Sequence, residues 1–231
     1  MAPKVLVVLT SHDRIDGTDK PTGWFLTEFS HAYDVLASKG VEIVTASPKG
    51  GVAPLDPGSV EFAAQDAGAQ AFKADKAALW EQTAPVASLR GRAGEFAALY
   101  YPGGHGPMYD LATDADSIAL INEFVAAGKP VAAVCHGPAA FANVVLPDGR
   151  HLLAGKEATG FTNAEEDAVG MSQFMPFLLE TKMREAGAVF VKADQPWAEK
   201  VVVQDGGKLI TGQNPASAKG VGEAIAKAIG V

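Results

Sequence analysis

Short apolar runs alternate along the chain with segments in which apolar residues recur every three to four positions. Apolar runs without alternation are typical of strands buried on both faces, and the longer spacing is typical of amphipathic helices. The runs predict strands at 5–9, 41–46, 97–101, 131–134 and 209–211, and the spacing predicts helices at 23–39, 114–127, 176–186 and 220–229. This alternation predicts an α/β fold, with a doubly wound, mostly parallel sheet flanked by helices as a flavodoxin-like sandwich, and with a small antiparallel appendage.

Weaker patterns fill the intervals between these elements. They predict a helix at 75–89 and short strands at 151–153, 189–192 and 200–204, the last of which turns back through 205–207. No internal repeat, charge run or low-complexity linker interrupts the chain. We therefore expect residues 1–231 to form a single domain.

Composition narrows the classes of partner. The chain has 231 residues, of which 48% are hydrophobic and 20% charged, enough for one full core. The net charge of -8 argues against nucleic acid and anionic membranes as partners. One cysteine excludes an internal disulfide framework and fits a reducing compartment. The first apolar run is too short for a signal peptide or a membrane span, so a cytoplasmic protein is expected.

The only cysteine of the chain directly follows the fourth apolar run. Residues 131–134 predict a buried strand and Gly137-Pro138 an abrupt turn into a helix, which places Cys135 in the turn. That position lies at the carboxyl edge of the sheet and faces the positive end of the next helix, so we expect a lowered thiol pKa. His136 is the adjacent proton carrier. A lone cysteine often only fills space in a core, but a core cysteine needs neither the turn nor the histidine.

Helix 23–39 carries one carboxylate within its apolar face. At about 100° per residue, Glu28 projects between Val35 and Phe25, and it is the only polar group there. A carboxylate buried in this face needs a hydrogen-bonding or charged partner, or its pKa is raised. The alternative is that Glu28 lies at the edge of the face and extends its carboxylate into water. Because the helix follows the first strand, Glu28 is expected near the edge from which Cys135 emerges.

A glycine-rich loop at 102–107 follows the third predicted strand. Its glycines, Gly103 and Gly104, allow backbone N–H groups to approach a ligand without side-chain interference. We expect this turn to supply one donor of an oxyanion hole and the N–H of His136 to supply the other. The alternative, a phosphate loop, lacks the Lys-Ser/Thr ending of a Walker motif and the G-x-G-x-x-G spacing.

Five short sequence motifs, spread over nearly the whole chain, contain the residues discussed above. They are TGWFLTE at 22–28, YPGGHG at 101–106, AVCHGP at 133–138, TGFTNAEE at 159–166 and TGQNPAS at 211–217. With these motifs the chain resembles the ThiJ/PfpI superfamily, of the class I glutamine-amidotransferase-like fold, and within it the heat-shock-chaperone and glyoxalase III branch. Five motifs in this order make the resemblance highly specific.

The resemblance implies a catalytic triad. Cys135 is its nucleophile and His136 the partner of that nucleophile. Matched position by position from Phe161, the acid falls on Glu166, although the neighbouring Glu165 leaves the choice open. The acid of such a triad orients the histidine.

The resemblance also assigns the groups around the sulfur. Glu28 matches a glutamate that lies against the nucleophilic sulfur, in agreement with its place on the apolar face of its helix. The amides of Gly104 and His136, with Gly103 beside them, match the oxyanion and substrate-binding positions.

The activity implied is that of a glyoxalase III, a glutathione-independent lyase that converts methylglyoxal to lactate. Cys135 adds to the aldehyde as a hemithioacetal, and Glu28 or His136 moves a proton through an enediol. Neither a cofactor nor a metal is expected. The expected partners are a small 2-oxoaldehyde substrate and, by resemblance alone, a second copy of the chain in a homodimer.

Two other classes of function remain open from the sequence. A Cys-His-Glu set with an oxyanion hole also suits a cysteine amidase or peptidase, although Glu28 would crowd a bulky acyl group. The resembled branch also includes holding chaperones and proteins credited with deglycase activity in the stress response. A thiol beside a carboxylate is in addition a candidate oxidation sensor.

Overall fold

The computed structural model describes residues 2–231. The strands are β1 (Lys4–Val8), β2 (Glu42–Ser47), β3 (Ala84–Pro85), β4 (Ala98–Tyr101), β5 (Val131–Val134), β6 (Glu157–Ala158), β7 (Val189–Phe190), β8 (Val201–Gln204) and β9 (Leu209–Gly212). The α-helices are α1 (Leu26–Ser38), α2 (Pro57–Phe62), α3 (Ala67–Asp75), α4 (Ala78–Glu81), α5 (Ala115–Ala126), α6 (Asn163–Ala168), α7 (Leu179–Glu185) and α8 (Ala218–Ala228).

The main sheet has seven strands in the order β3-β2-β1-β4-β5-β9-β8. All neighbours in it are parallel except β8, which pairs antiparallel with β9 at the edge. Strands β4 and β5 are buried along their whole length, as their uninterrupted apolar sequences predict. The α/β fold, with its mostly parallel sheet and flanking helices, is confirmed.

The small appendage differs from the expectation in its pairing. A separate two-stranded sheet is formed by β6 and β7, and it is parallel. The antiparallel pairing lies in the main sheet instead, where the short turn after β8 returns the chain to β9. A short turn of this kind can join only antiparallel strands.

Helices α1 and α8 pack against each other, and α1 also contacts α3. Helix α1 directs Leu26, Phe29, Ala32 and Leu36 into the core, together with the carboxylate of Glu28. The apolar periodicity predicts these positions, but the helix also buries Thr27 and Ser30, which lie outside the predicted face. Among residues 2–231, none of the helices combines the length and the apolar character that a membrane-spanning segment requires.

Two of the weaker predictions are wrong. In place of the helix expected at 75–89 the structure has α4, β3 and a 3₁₀ segment, Val86–Leu89. Helix α3 begins earlier, after its N-cap at Asp66, and ends at Asp75, where the expected helix would have begun. The side chain of Asp66 accepts a hydrogen bond from the N–H of Ala69, as an N-cap residue does. The strand expected at 151–153 reduces to a single bridge between Val145 and His151.

Candidate active site

A cavity of about 430 Å³ opens at the carboxyl edge of the main sheet. The loops after β4, β5 and β9 contribute to its wall, because parallel neighbours end at the same edge. The lining residues are Phe25, Asp56, Gly58, Phe62, Gly104, His105, Cys135, His136, Phe161, Val169, Trp197, Asn214, Pro215 and Ala216. Cys135 and His136 therefore lie where the sequence places them, at the end of a central strand.

The turn at Cys135 holds the residue in a left-handed backbone conformation, with φ of 59°. This conformation is unfavourable for a residue with a side chain, and the neighbouring backbone fixes it on both sides. The N–H of Cys135 donates to the carbonyl of Gly212 at 3.0 Å, and its carbonyl accepts from the N–H of Phe161 at 2.8 Å. The sharp turn thus places Cys135 in the lining of the cavity, where the residue is only 2% exposed, while both of its peptide groups stay paired.

The helix expected after Cys135 is only a 3₁₀ segment, Gly137–Phe141. So short a segment lacks the aligned peptide dipoles that a long α-helix would direct at the sulfur. The expected source of thiol activation is therefore absent from this part of the structure, and activation must come from the side chains around the sulfur.

His136 joins the sulfur to Glu166. Its Nδ1 lies 3.4 Å from Cys135 Sγ, and its Nε2 lies 2.6 Å from Glu166 Oε2. A carboxylate accepts hydrogen bonds only, so Nε2 carries the proton and Nδ1 presents its lone pair to the thiol. Burial lowers the pKa of His136, which keeps the imidazole neutral and able to accept a proton.

The hydrogen bonds of Glu165 and Glu166 show which of these two neighbouring acids contacts His136. Glu165 closes a capping box with Thr162 at the start of α6 and accepts hydrogen bonds from the amides of Gln213 and Asn214. Glu166 lies one position further on and points to His136. The acid beside the histidine is therefore Glu166, while Glu165 ties α6 to the loop after β9.

His105 is a member of this cluster that the sequence analysis did not single out. Its Nε2 lies 2.8 Å from Glu166 Oε1, so one carboxylate bridges two imidazoles whose ring centroids are 4.3 Å apart. Burial alone would raise the pKa of Glu166, but His136 and His105 together hold it well below its usual range. The histidine was detectable, because it stands in the glycine-rich loop at a strand end, where ligand-binding residues concentrate.

Glu28 is fully buried, with 0% of its surface exposed, and its carboxyl lies against the sulfur of Cys135. Its Oε2 accepts a hydrogen bond from the N–H of Gly103 at 2.7 Å, and its backbone carbonyl accepts one from the Tyr100 hydroxyl at 2.7 Å. Its Oε1 lacks a well-aligned partner, although the Cys135 thiol lies close enough to lower the pKa of this carboxyl. Burial outweighs these contacts and raises the pKa of Glu28 to about 8.

The thiol itself does not have the lowered pKa that the sequence suggested. Burial, and then the charge of Glu28, raise the pKa of Cys135 well above its usual value. At neutral pH the resting site therefore holds a protonated thiol beside a mostly protonated carboxyl. The sulfur becomes nucleophilic only as its proton passes to His136.

Two backbone N–H groups remain free for an oxyanion. Among the described residues, neither the N–H of Gly104 nor that of His136 has a hydrogen-bond acceptor. The N–H of Gly103, by contrast, is already paired with Glu28. The geometry therefore favours the N–H groups of Gly104 and His136 as the oxyanion donors. The N–H of Gly103 instead holds the carboxyl of Glu28 in place.

Gly103 and Gly104 are required because neighbouring atoms lie too close to their Cα atoms to leave room for a side chain. A Cβ on Gly103 would lie 2.6 Å from the nitrogen of His136 and 2.8 Å from Glu28 Oε2. A Cβ on Gly104, whose φ is 88°, would lie 2.2 Å from the carbonyl oxygen of Gly23. Any side chain at either position would push apart the elements that carry the thiol and the carboxyl.

The bridged cluster also has the composition of a metal site. One ligand atom from each of His105, His136 and Glu166 lies within 4.8 Å of the others. Both imidazoles, however, already direct Nε2 at the carboxylate. A metal ion bound there would replace both hydrogen bonds and remove the group that fixes the tautomer of His136.

Comparison with known proteins assigns the chain to a family. Residues 23–228 match the DJ-1/PfpI family. The chain belongs to the DJ-1/PfpI family. The matched span includes Glu28, the Cys135 turn and α6, so all the groups described above lie within the part of the chain that the family shares.

Individual proteins are similar to this chain over nearly its whole length. Glyoxalase 3 of Candida albicans is 30% identical over 225 residues, which are 93% of each chain. The crystal structure of glyoxalase III from Candida albicans has a TM-score of 0.84 at 28% identity and covers 98% of this chain and 97% of its own. Rapid Encystment Protein 24 KDa of Francisella tularensis has a TM-score of 0.91 at 34% identity, covering 98% and 99%.

Proposed function

We propose that this protein is a glutathione-independent glyoxalase that converts a 2-oxoaldehyde such as methylglyoxal to a 2-hydroxy acid. The observation that carries the proposal is the fully buried carboxyl of Glu28, which lies beside the Cys135 thiol and whose pKa burial raises to about 8. Carbon acids need a base whose pKa lies near the working pH. Acyl transfer to water needs no such second acid.

The first step forms a hemithioacetal. His136 Nδ1 takes the thiol proton while Cys135 Sγ adds to the aldehyde carbon, C1. The aldehyde oxygen becomes an oxyanion, which the N–H groups of Gly104 and His136 stabilise. The imidazolium then returns its proton to that oxygen, so His136 is neutral again.

The second step moves hydrogen between the two carbons. Glu28 in its ionised form removes the proton from C1, and the electron pair forms the enediol with the ketone carbon, C2. Glu28 delivers that proton to C2, and the hydroxyl proton on the C1 oxygen passes to the C2 oxygen. C1 is oxidised to a thioester and C2 is reduced to a carbinol, so the step needs no external oxidant or reductant.

The third step releases the product. His136 removes a proton from water, which attacks the thioester, and the imidazolium reprotonates the departing sulfur of Cys135. Glu166 accepts a hydrogen bond from Nε2 throughout and stabilises each imidazolium. The balance is one 2-oxoaldehyde and one water consumed for one 2-hydroxy acid formed.

The decisive experiment is NMR of the product formed from methylglyoxal in heavy water. Deuterium at the carbon that bears the new hydroxyl reports proton exchange at the enediol. Cys135→Ala and Glu28→Gln should abolish lactate formation, while Glu185→Gln, at an exposed position on α7, should not change it. Turnover that survives Cys135→Ala would refute the proposal, and cleavage of a fluorogenic peptide would favour the amidase alternative.

The assembly and location of the protein are also part of this proposal. We expect a homodimer in the cytoplasm, on the resemblance and on the single cysteine of the chain. Light scattering on the purified protein should give the mass of two chains. A mass of one chain would reject the dimer without bearing on the chemistry.

A further inference from the structure

The cavity is large for a three-carbon substrate. Its volume of about 430 Å³ falls in the range of roughly 300–1,000 Å³ that is typical of pockets for drug-sized ligands. At about 30 Å³ per water molecule, methylglyoxal bound at Cys135 would leave most of that space to solvent. The size of the cavity thus points to a substrate with a substantial further group.

Two aromatic pairs border this extra space. Phe25 and Phe62 meet edge to face with ring centroids 5.5 Å apart, and Phe161 and Trp197 lie 5.7 Å apart. Phe161 also contacts His136, with ring centroids 4.4 Å apart. A group that rests on this wall therefore extends directly from the reacting carbons.

The outer members of these pairs are unusually exposed. Phe62 is 68% and Trp197 44% exposed, and they are the two aromatic residues among the exposed large hydrophobic side chains of residues 2–231. Val169 on the same rim is 44% exposed. Exposed apolar groups gathered at one opening are typical of a binding surface. We name Phe25, Phe62, Phe161, Val169 and Trp197 the apolar collar.

Trp197 is held in the collar against its backbone preference. Its φ is 63°, a left-handed conformation that is unfavourable for a bulky residue. Of the three non-glycine residues with positive φ in the described chain, Cys135 and Trp197 both line the cavity. A strained backbone conformation that is retained at a cavity points to a functional role for the side chain that it positions.

The charge of the wall restricts what the collar can accept. No lysine or arginine is among the described residues that line the cavity, and Asp56 adds a carboxylate. The whole chain carries a net charge of -8. A substrate with a carboxylate or phosphate would lose its hydration there without gaining a cationic partner.

We propose that the apolar collar selects 2-oxoaldehydes whose ketone carbon bears an aromatic or bulky, uncharged apolar substituent. This inference rests on the proposed function and names its substrate class. The chemistry is unchanged: C1 is oxidised to the acid, C2 is reduced to the carbinol, and one water is consumed. The product is the corresponding 2-hydroxy acid.

The first test compares three substrates with the unmodified protein. We expect kcat/KM for phenylglyoxal to exceed that for methylglyoxal at least about tenfold, as aromatic contacts and apolar burial of this size allow. We expect 4-carboxyphenylglyoxal, which adds one negative charge, to be at least about tenfold poorer than phenylglyoxal. Equal kcat/KM values for the three substrates, or a higher kcat/KM for 4-carboxyphenylglyoxal than for phenylglyoxal, would overturn the inference.

The second test removes the collar. In Trp197→Gly the left-handed backbone suits glycine, so the fold should tolerate the change. The ratio of kcat/KM for phenylglyoxal to that for methylglyoxal should fall about tenfold in this variant and in Phe62→Ala. Val203→Ala, which trims an exposed valine of β8 outside the cavity, should leave the ratio unchanged.

The outcomes separate the inference from the proposed function. If no 2-oxoaldehyde is converted in a Cys135-dependent reaction, the proposed function fails. If methylglyoxal is converted but both collar variants keep the wild-type ratio, only the inference fails. A collar covered by a second copy of the chain would change the molecular mass in both variants and lower both activities equally, which would also overturn it.

Discussion

Replacing Glu28 with glutamine should make the protein more stable at alkaline pH. Glutamine keeps the size of the side chain and an oxygen to accept the N–H of Gly103, but it cannot ionise. In the wild type, burial raises the pKa of Glu28 from 4.5 to about 8. The fold therefore holds a proton that the unfolded chain releases in that interval.

The sign and size of the effect follow from linkage. Below pH 4.5 Glu28 is protonated in both states, and its stabilising contribution to the fold is fully present. As pH rises, the unfolded chain ionises first and that stability is lost progressively until pH passes about 8. At about 1.4 kcal/mol per pKa unit, the total is roughly 5 kcal/mol, of which about 4 kcal/mol falls between pH 5 and pH 8.5.

Urea unfolding at these two pH values, under reducing conditions, measures this difference. The free energy of unfolding of the wild type should fall by about 4 kcal/mol more than that of Glu28→Gln. Glu185→Gln serves as the control, because that side chain is exposed on α7, and its curve should parallel the wild type. Parallel curves for Glu28→Gln as well would show that this carboxyl is not held protonated in the fold.

Three further predictions concern activity. The kcat/KM for methylglyoxal should rise with pH to a midpoint near 8, because the ionised form of Glu28 removes the carbon-bound proton; a fall through that pH would refute its role as base. Glu166→Gln should lower kcat by about 10³- to 10⁴-fold with little change in KM, because an amide no longer fixes the tautomer of His136. His105→Ala should lower kcat about tenfold by leaving Glu166 Oε1 unpaired, and His105→Gln, which keeps a donor, should recover most of the loss; equal kcat in both variants would contradict this.

Much of the fold and part of the site could be predicted from local sequence patterns. Buried strands such as β5 appear as apolar runs, and helical spacing places Glu28 in the apolar face of α1. The parallel order of the strands then brings Cys135 and Glu28 to one edge. The strands and the buried face of α1 depend on neighbours only a few residues apart, which is the range over which periodicity carries information.

Contacts between distant segments could not be predicted in this way. The bond from His105 to Glu166 spans 61 residues, and no local pattern indicates which of two adjacent glutamates will face a histidine. The pKa of Cys135 depends on how completely the surrounding elements exclude water, which is a property of the assembled core. The error at 75–89 is of another kind, since the helix there begins earlier, after its N-cap at Asp66, and ends at Asp75.

The protonated resting state of Cys135 also bears on how readily oxidants and alkylating reagents attack this sulfur. Peroxide and alkylating reagents attack thiolates, and their rates fall steeply when the sulfur keeps its proton. In the proposed reaction, ionisation of the thiol accompanies the arrival of an aldehyde within reach of His136 rather than preceding it. A cell that meets oxidants and reactive carbonyls together would thus retain a working nucleophile, a behaviour opposite to that of a redox sensor.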